Sequence, residues 1–293
     1  MEYRKRKEVT PEAAVILWQA SRLDLSEDYE RAPEILKVHG SVIGTLGNFS
    51  ASIGKAKSKK TFNVSAIVAA ALKNGTVLSY TAELPENRRK ILYVDTEQSS
   101  YHCAKVAKRI LRMAGLPTGR NHKDLEFLVL RKYTPEERIA IVREAIYRTE
   151  NVGLVVIDGI RDMVYDINSP SESTKVISLL MTWTGERHIH IHTILHQNKG
   201  DENARGHIGT ELSYKAETVQ QEVKDAKAPG ISTDELRTVR IPHHRGGIAR
   251  TAGRIPVQTQ GSGKREKGEV RPLQGHHREA APHRTGSGIH TQR

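Results

Sequence analysis

Two hydrophobic rhythms alternate along this chain between about Gly40 and Val223. Short apolar runs, "KILYVD", "LEFLVLR", "VGLVVID" and "IHIHTILHQ", predict strands. The alternating stretch "SVIGTLGNFSAS" predicts another, and "KAETVQQEV" one more. Between them, apolar residues recur at helical spacing. Lys60 to Lys73 predicts one helix. Ser99 to Ala114 predicts a second, with Val106, Ile110, Leu111 and Met113 as its apolar stripe. "TPEERIAIVREAIYRT" and "SESTKVISLLMTWTGE" predict two further helices. Before this region, "TPEAAVILWQASRL" predicts a helix with Thr10 as N-cap and Pro11 at its first position. The acidic "DLSEDYERAPE" that follows reads as a linker.

Strands alternating with helices predict an α/β fold. Right-handed crossovers then build a mostly parallel sheet with helices on both faces. The expected organisation is an N-terminal helical segment and linker (1–35), a core (36–223) and a terminal region (224–293). Ligands of such sheets bind beyond the carboxyl ends of the strands. The chemistry should therefore sit just after each strand.

Composition qualifies this picture. The chain has 293 residues and a formal net charge of +12. From Thr238 to Arg293 there are 11 Lys/Arg and 3 Asp/Glu, so +8 of the +12 lies there. The last aromatic residue is Tyr214, and beyond it Gly, Arg, His and Pro take over without periodicity. Such a segment buries too little apolar surface to offset its ordering entropy and is expected to be a disordered basic tail. An out-of-frame or foreign C-terminus would give the same abrupt switch. The single cysteine, Cys103, excludes an intrachain disulfide. No apolar run is long enough for a bilayer, and "MEYRKRKEV" lacks the apolar core of a signal peptide, so the expected location is cytoplasmic.

After the first strand of the core stand Gly54, Lys55, Ala56, Lys57, Ser58, Lys59, Lys60 and Thr61. Against the phosphate-loop pattern G-x-x-x-x-G-K-[ST], the first Gly, the Lys and the Thr fit; Lys59 replaces the second Gly. In such a loop, backbone N–H groups and the helix N-terminus cradle phosphates, Lys60 reaches the β/γ-phosphates, and the Thr61 hydroxyl binds Mg²⁺. The plainer reading is a solvated basic loop. Later strand ends favour the first. "KILYVDTEQS" ends in Asp95 and Glu97, "VGLVVIDGIRD" closes on Asp158, and "IHIHTILHQNK" ends in Gln197. An apolar strand closed by an acid is what a Mg²⁺-holding Asp requires.

At these residues the chain resembles the RecA-like ATPases of the plasmid RepA helicase type, closest to ATPases of Bacteroidetes plasmids and mobilizable elements. The resemblance runs from about Leu36 to Val223. Its most specific stretches are "GTLGNFSASIGKAKSKKTF", "LYVDTEQSSYHCAKVAKRIL", "VVIDGIRDMVYDINSPSEST" and "HIHIHTILHQNKGDENARGHIGTEL". It implies a RecA-like P-loop core that binds ATP through Gly54–Thr61, with Lys59 usual for that subgroup. Asp158 would be the Mg²⁺-holding acid, Glu97 the catalytic glutamate, and Gln197 the sensor of the γ-phosphate. The loops after Asp158 and Gln197 would line a nucleic-acid channel, with Arg161, Lys199 and Arg205 as phosphate contacts. Relatives continue with an aromatic-containing strand; here "RTVRIPHHRGGIARTAGR" follows instead, with Arg237 and Arg240 as candidates for a trans-acting arginine finger.

Two readings of different class follow. One is an ATPase motor: a homo-oligomeric, ring-forming helicase or remodelling enzyme, hexameric in the form expected, acting on single-stranded DNA in replication or mobilization. The other is an ATP-binding adaptor that tethers to DNA through its basic tail. A phosphotransferase is a weaker third, since no acceptor site is visible. "HIHIHTILH" also places His188, His190, His192 and His196 on one strand face, spacing that suits zinc with a third ligand elsewhere, or a partly polar face packed under a helix.

Overall fold

The computed structural model describes residues 9–55, 60–197, 204–224 and 234–240. The chain starts with α1 (Pro11–Ala20), capped as its sequence predicts: the Thr10 hydroxyl accepts from Ala13 N at 3.2 Å, with Pro11 in the first turn. None of its residues is buried. Strands β1 (Glu34–Val38) and β2 (Ser41–Thr45) form an antiparallel pair. β3 (Phe49–Gly54) leads to α2 (Lys60–Lys73), and β4 (Thr76–Val77) and β5 (Tyr80–Ala82) follow. Then come β6 (Lys90–Asp95), α3 (Ser100–Met113), β7 (Leu125–Val129) and α4 (Pro135–Arg148). The chain continues through β8 (Val152–Asp158), α5 (Pro170–Arg187), β9 (His190–His196), α6 (Gly206–Lys215), β10 (Thr218–Lys224) and β11 (Asp234–Arg240).

The main sheet has the order β11-β10-β3-β9-β8-β6-β7. Six strands are parallel, and β11 runs antiparallel along β10 from Thr218↔Arg240 to Lys224↔Asp234. The α/β class is therefore as expected. Both faces are covered because successive strand residues point to opposite sides. Ile91 and Tyr93 pack with α2, α3 and the small sheet, whereas Leu92 and Val94 pack with α4, α5 and α6. A sheet buried on both faces needs uninterrupted apolar strands, which is why "ILYV" and "LVVI" read as they do.

Several sequence expectations need correction. "SVIGTLGNFSAS" is two strands, not one. β2 belongs to a separate sheet of order β2-β1-β5-β4, and β3 to the main sheet. The chain turns between them at Gly47, whose φ of +82° favours glycine. β1, β4 and β5 were not predicted; two of them have only 2 and 3 residues, too short for a period to register. The linker stops at Glu34, where β1 starts. His188 is not on the histidine strand: it caps α5 with φ of +50°, and β9 begins at His190. β11 was not predicted either, and it takes in residues 238–240, the first of the expected disordered tail, which pair with β10; the rest of that tail lies outside the described residues.

Candidate functional site

Strand register brings the site together. β3 pairs with β9 so that Gly54 lies opposite His196, and β6 pairs with β8 so that Asp95 lies opposite Asp158. All four are strand-terminal, so the carboxyl edge of the sheet collects them with whatever follows each strand.

α2 opens on Lys60 and Thr61. Lys60 is buried, and its Nζ donates to Gly54 O and Lys55 O at 2.8 Å each. The ammonium is thus folded back over the loop that β3 feeds. Ala56, Lys57, Ser58 and Lys59 lie outside the described residues. The Thr61 hydroxyl donates to Asp158 Oδ2 at 3.4 Å, and the Tyr93 hydroxyl donates to the same oxygen at 2.9 Å. Burial, then the charges of Asp95 and Glu97, push the Asp158 carboxyl up to about 7, against the pull of the bonds from Tyr93 and Thr61. A buried acid crowded by acids is short of positive charge.

Asp95 has a different task. Its Oδ1 accepts from Glu97 N at 3.0 Å and Gln98 N at 2.7 Å, and its Oδ2 from Gln98 Nε2 at 2.8 Å. Asp95 therefore builds the turn that presents Glu97. The Glu97 side chain is half exposed. Burial first, then Asp162 and Asp95, raise its proton affinity, while Lys60 and Arg161 lower it. A half-open carboxylate with raised proton affinity suits general-base work on water.

Thr96 locks this edge to the segment after β8. Its hydroxyl lies within hydrogen-bond reach of Gly159 O at 3.0 Å, Asp158 O at 3.1 Å and Asp162 Oδ2 at 2.9 Å. Gly159 has φ of +107°, and a Cβ there would stand 2.1 Å from the Thr96 hydroxyl. The same point is 3.4 Å from Glu97 Cγ and from Asp162 Oδ2, so the missing side chain is what lets these groups meet.

Gln197 is buried, its backbone N donating to Gly54 O at 3.0 Å. Lys199 lies outside the described residues. Arg205 N donates to His196 O at 3.1 Å, which places Arg205 at the start of α6 on the same edge. Arg161 is partly exposed and pairs with Asp162 at 3.3 Å. The structure thus gathers Gly54, Lys55, Lys60, Thr61, Glu97, Asp158, Arg161, Gln197 and Arg205 on one edge.

Sequence reasoning missed His196 as a site residue. Its Nε2 is 3.8 Å from Glu97 Oε1, and its Nδ1 is buried with no hydrogen-bond partner among the described residues. Burial, Lys60 and Arg205 hold its proton affinity below the ordinary value, so the ring is neutral near neutral pH. The signal was its place as the last residue of β9, hidden by its likeness to the other strand histidines. Those do something else. His190 Nε2 and His192 Nδ1 both bond Ser50 Oγ at 2.8 Å, His192 Nε2 bonds Ser52 Oγ at 2.9 Å, and His190 Nδ1 bonds Thr45 O at 2.8 Å. These two histidines are core connectors, and no group of three or more His, Cys, Asp or Glu among the described residues is placed to hold a metal.

Mg²⁺ with a nucleotide needs less. It is commonly held by one or two oxygen side chains together with substrate phosphates. The Thr61 hydroxyl and the crowded Asp158 carboxylate fit that donor set. Among the described residues no helix is long and apolar enough to cross a membrane.

A parallel sheet with a buried lysine opening the helix after one strand, and acids at the ends of neighbouring strands, is the arrangement of the P-loop NTPase class. The sequence profile of the AAA domain matches residues 21–202, more than half of the chain, and the chain belongs to this family of P-loop ATPases. No curated protein matches the chain.

Proposed function

We propose that this P-loop ATPase hydrolyses ATP as a RecA-like motor of the RepA helicase type, acting on single-stranded DNA as a homo-oligomeric ring. The observation that carries the hydrolytic part is the convergence of Lys60, Thr61, Asp158 and Glu97 at three strand ends. Lys60 Nζ neutralises phosphate charge, exchanging the carbonyls of Gly54 and Lys55 for phosphate oxygens. Thr61 and Asp158 would hold Mg²⁺, which would supply further charge neutralisation at the phosphates. Glu97 takes the proton of the attacking water. The new oxygen–phosphorus bond forms as the β–γ bridging bond breaks, and its electron pair leaves with ADP. His196 keeps the Glu97 carboxylate at the γ-phosphate end, and Gln197 senses whether that phosphate is present.

The DNA part rests on placement. Arg161 and Arg205 sit where loops leave the same edge, and the resemblance adds Lys199 as a further candidate phosphate contact. Arg237 and Arg240, the candidates for the finger, belong to β11, one of the two edge strands of the sheet. The deciding experiment is ATP turnover with and without single-stranded DNA. A motor shows stimulation, and Glu97→Gln removes turnover while ATP still binds. ATP binding with no DNA-stimulated turnover would replace the motor by an adaptor.

A further inference from the structure

α3 carries an outer face that nothing above uses. Its sequence, "SYHCAKVAKRILRM", contains no acid. Cys103, Val106, Ile110 and Leu111 are buried against the sheet side. Tyr101, Lys105, Lys108 and Arg112 fall at i, i+4, i+7 and i+11, so they line one outer stripe about 16 Å long. All four are exposed, Tyr101 at 65%. Lys105 Nζ lies 4.5 Å from the centroid of the Tyr101 ring.

Two comparisons show that this is not an ordinary solvated face. Surface helices normally mix charge signs. α4 does so, with Arg143 and Arg148 both paired to Glu144. On α3, no ion pair among the described residues involves Lys105, Lys108 or Arg112. The nearest strand offers no relief: on β7, Leu125 and Phe127 pack on the α3 side, so Glu126 alternates to the other face of the sheet. What remains is a row of cations without acidic partners, the first of them lying over the exposed aromatic at one end.

We infer that the outer stripe of α3, Tyr101–Lys105–Lys108–Arg112, binds single-stranded nucleic acid. Evenly spaced cations along one helix face track a phosphate backbone. An exposed tyrosine stacks on a base, and only an unpaired base offers its face. The stripe starts four residues after Glu97, and Arg109 of the same helix lies over the ring of Phe62, the residue after Thr61, at 6.0 Å. A strand held here therefore rests on a helix that follows the Glu97 turn and lies against the first turn of α2. The inference extends the nucleic-acid part of the proposed function and needs no hydrolysis.

The test measures binding of a fluorescein-labelled single-stranded oligothymidylate to the full chain by anisotropy across a salt series. ATP affinity, thermal melting and sedimentation are measured on the same proteins. Lys105→Gln with Lys108→Gln should weaken binding on the order of tenfold and reduce the slope of log K against log salt by about 1.4. Tyr101→Ala should weaken it about fivefold or more with the slope unchanged. Both variants should melt and bind ATP like the parent. If the parent binds and the lysine variant matches its affinity and slope, the α3 surface is wrong while the ATPase reading stands. If the parent binds no oligonucleotide, this surface and the DNA part of the proposed function both fall. Unchanged oligonucleotide binding with a smaller sedimenting species would make the stripe an interface between copies and overturn the inference.

Discussion

The Thr61 hydroxyl donates to Asp158 Oδ2 at 3.4 Å, joining the start of α2 to the end of β8 across 97 residues of chain. Neither residue has a reason to be where it is without the other. Thr61 follows the buried Lys60 at the start of α2, and Asp158 is a raised-pKa acid at the end of β8. The pair is the geometric core of the proposed nucleotide site.

Lys60→Ala should abolish ATP binding measured by calorimetry, while the melting profile stays cooperative. Thr61→Ala should weaken binding mainly when Mg²⁺ is present. Lys59→Gly, which restores the common loop pattern, should bind at least as well as the parent. Full ATP affinity in Lys60→Ala would remove the phosphate-loop assignment.

Glu97→Gln should lower kcat by roughly 10²–10⁴, the usual worth of general-base catalysis, with little change in ATP affinity. His196→Ala should lower kcat less and leave affinity intact, since it acts through Glu97. Steady-state kinetics alongside equilibrium binding separates the two effects. Equal loss of affinity and turnover in Glu97→Gln would argue against a base.

Gly159→Ala should be costly for two reasons. Its φ of +107° strains any other residue, at about 1–3 kcal/mol, and the new Cβ meets the Thr96 hydroxyl. Turnover should fall more than ATP affinity, because the Cβ collides with Thr96, whose shift carries its chain neighbour Glu97 with it, and it meets nothing at Lys60. Adding Thr96→Ala relieves the collision but not the φ, so partial recovery is expected in a double-mutant cycle. Full activity in Gly159→Ala alone would show that this contact does not position Glu97.

The core histidines predict acid lability. Burial, then the neighbouring His190, lowers the His192 pKa to about 3, and burial lowers that of His190. An unfolded histidine titrates near about 6.5. Below that pH the unfolded chain binds protons the folded core refuses, so stability falls as pH drops. The full contribution is present above about pH 6.5, and His192 removes roughly 1.4 kcal/mol per pH unit from there down to about pH 3, with His190 adding in the same direction. Asp158, with its carboxyl pushed up to about 7, contributes in the opposite direction over the same range, so the histidine part is the downward component of the urea-midpoint slope below pH 6. His192→Gln should flatten that slope, whatever it does to stability at neutral pH.

Much of this arrangement was already written along the chain. A strand buried on both faces must be apolar throughout, so "ILYV" and "LVVI" declare themselves, and the acids that stop them, Asp95 and Asp158, can only sit at the edge. Lys60 and Thr61 follow because a helix start after a strand has donors to offer a phosphate. What stayed hidden needed register. β4 and β5 are too short for a period to appear, yet they pair in a second sheet beside α2. His190, His192 and His196 look alike in sequence. Two are absorbed by Ser50 and Ser52 across the β3–β9 pair, while the third, one strand end further on, faces Glu97. The polar partner of a buried side chain comes from a strand distant in sequence, so local pattern cannot name it. The role of Thr96, and the need for glycine at 159, were likewise decided only when β6 and β8 lay side by side.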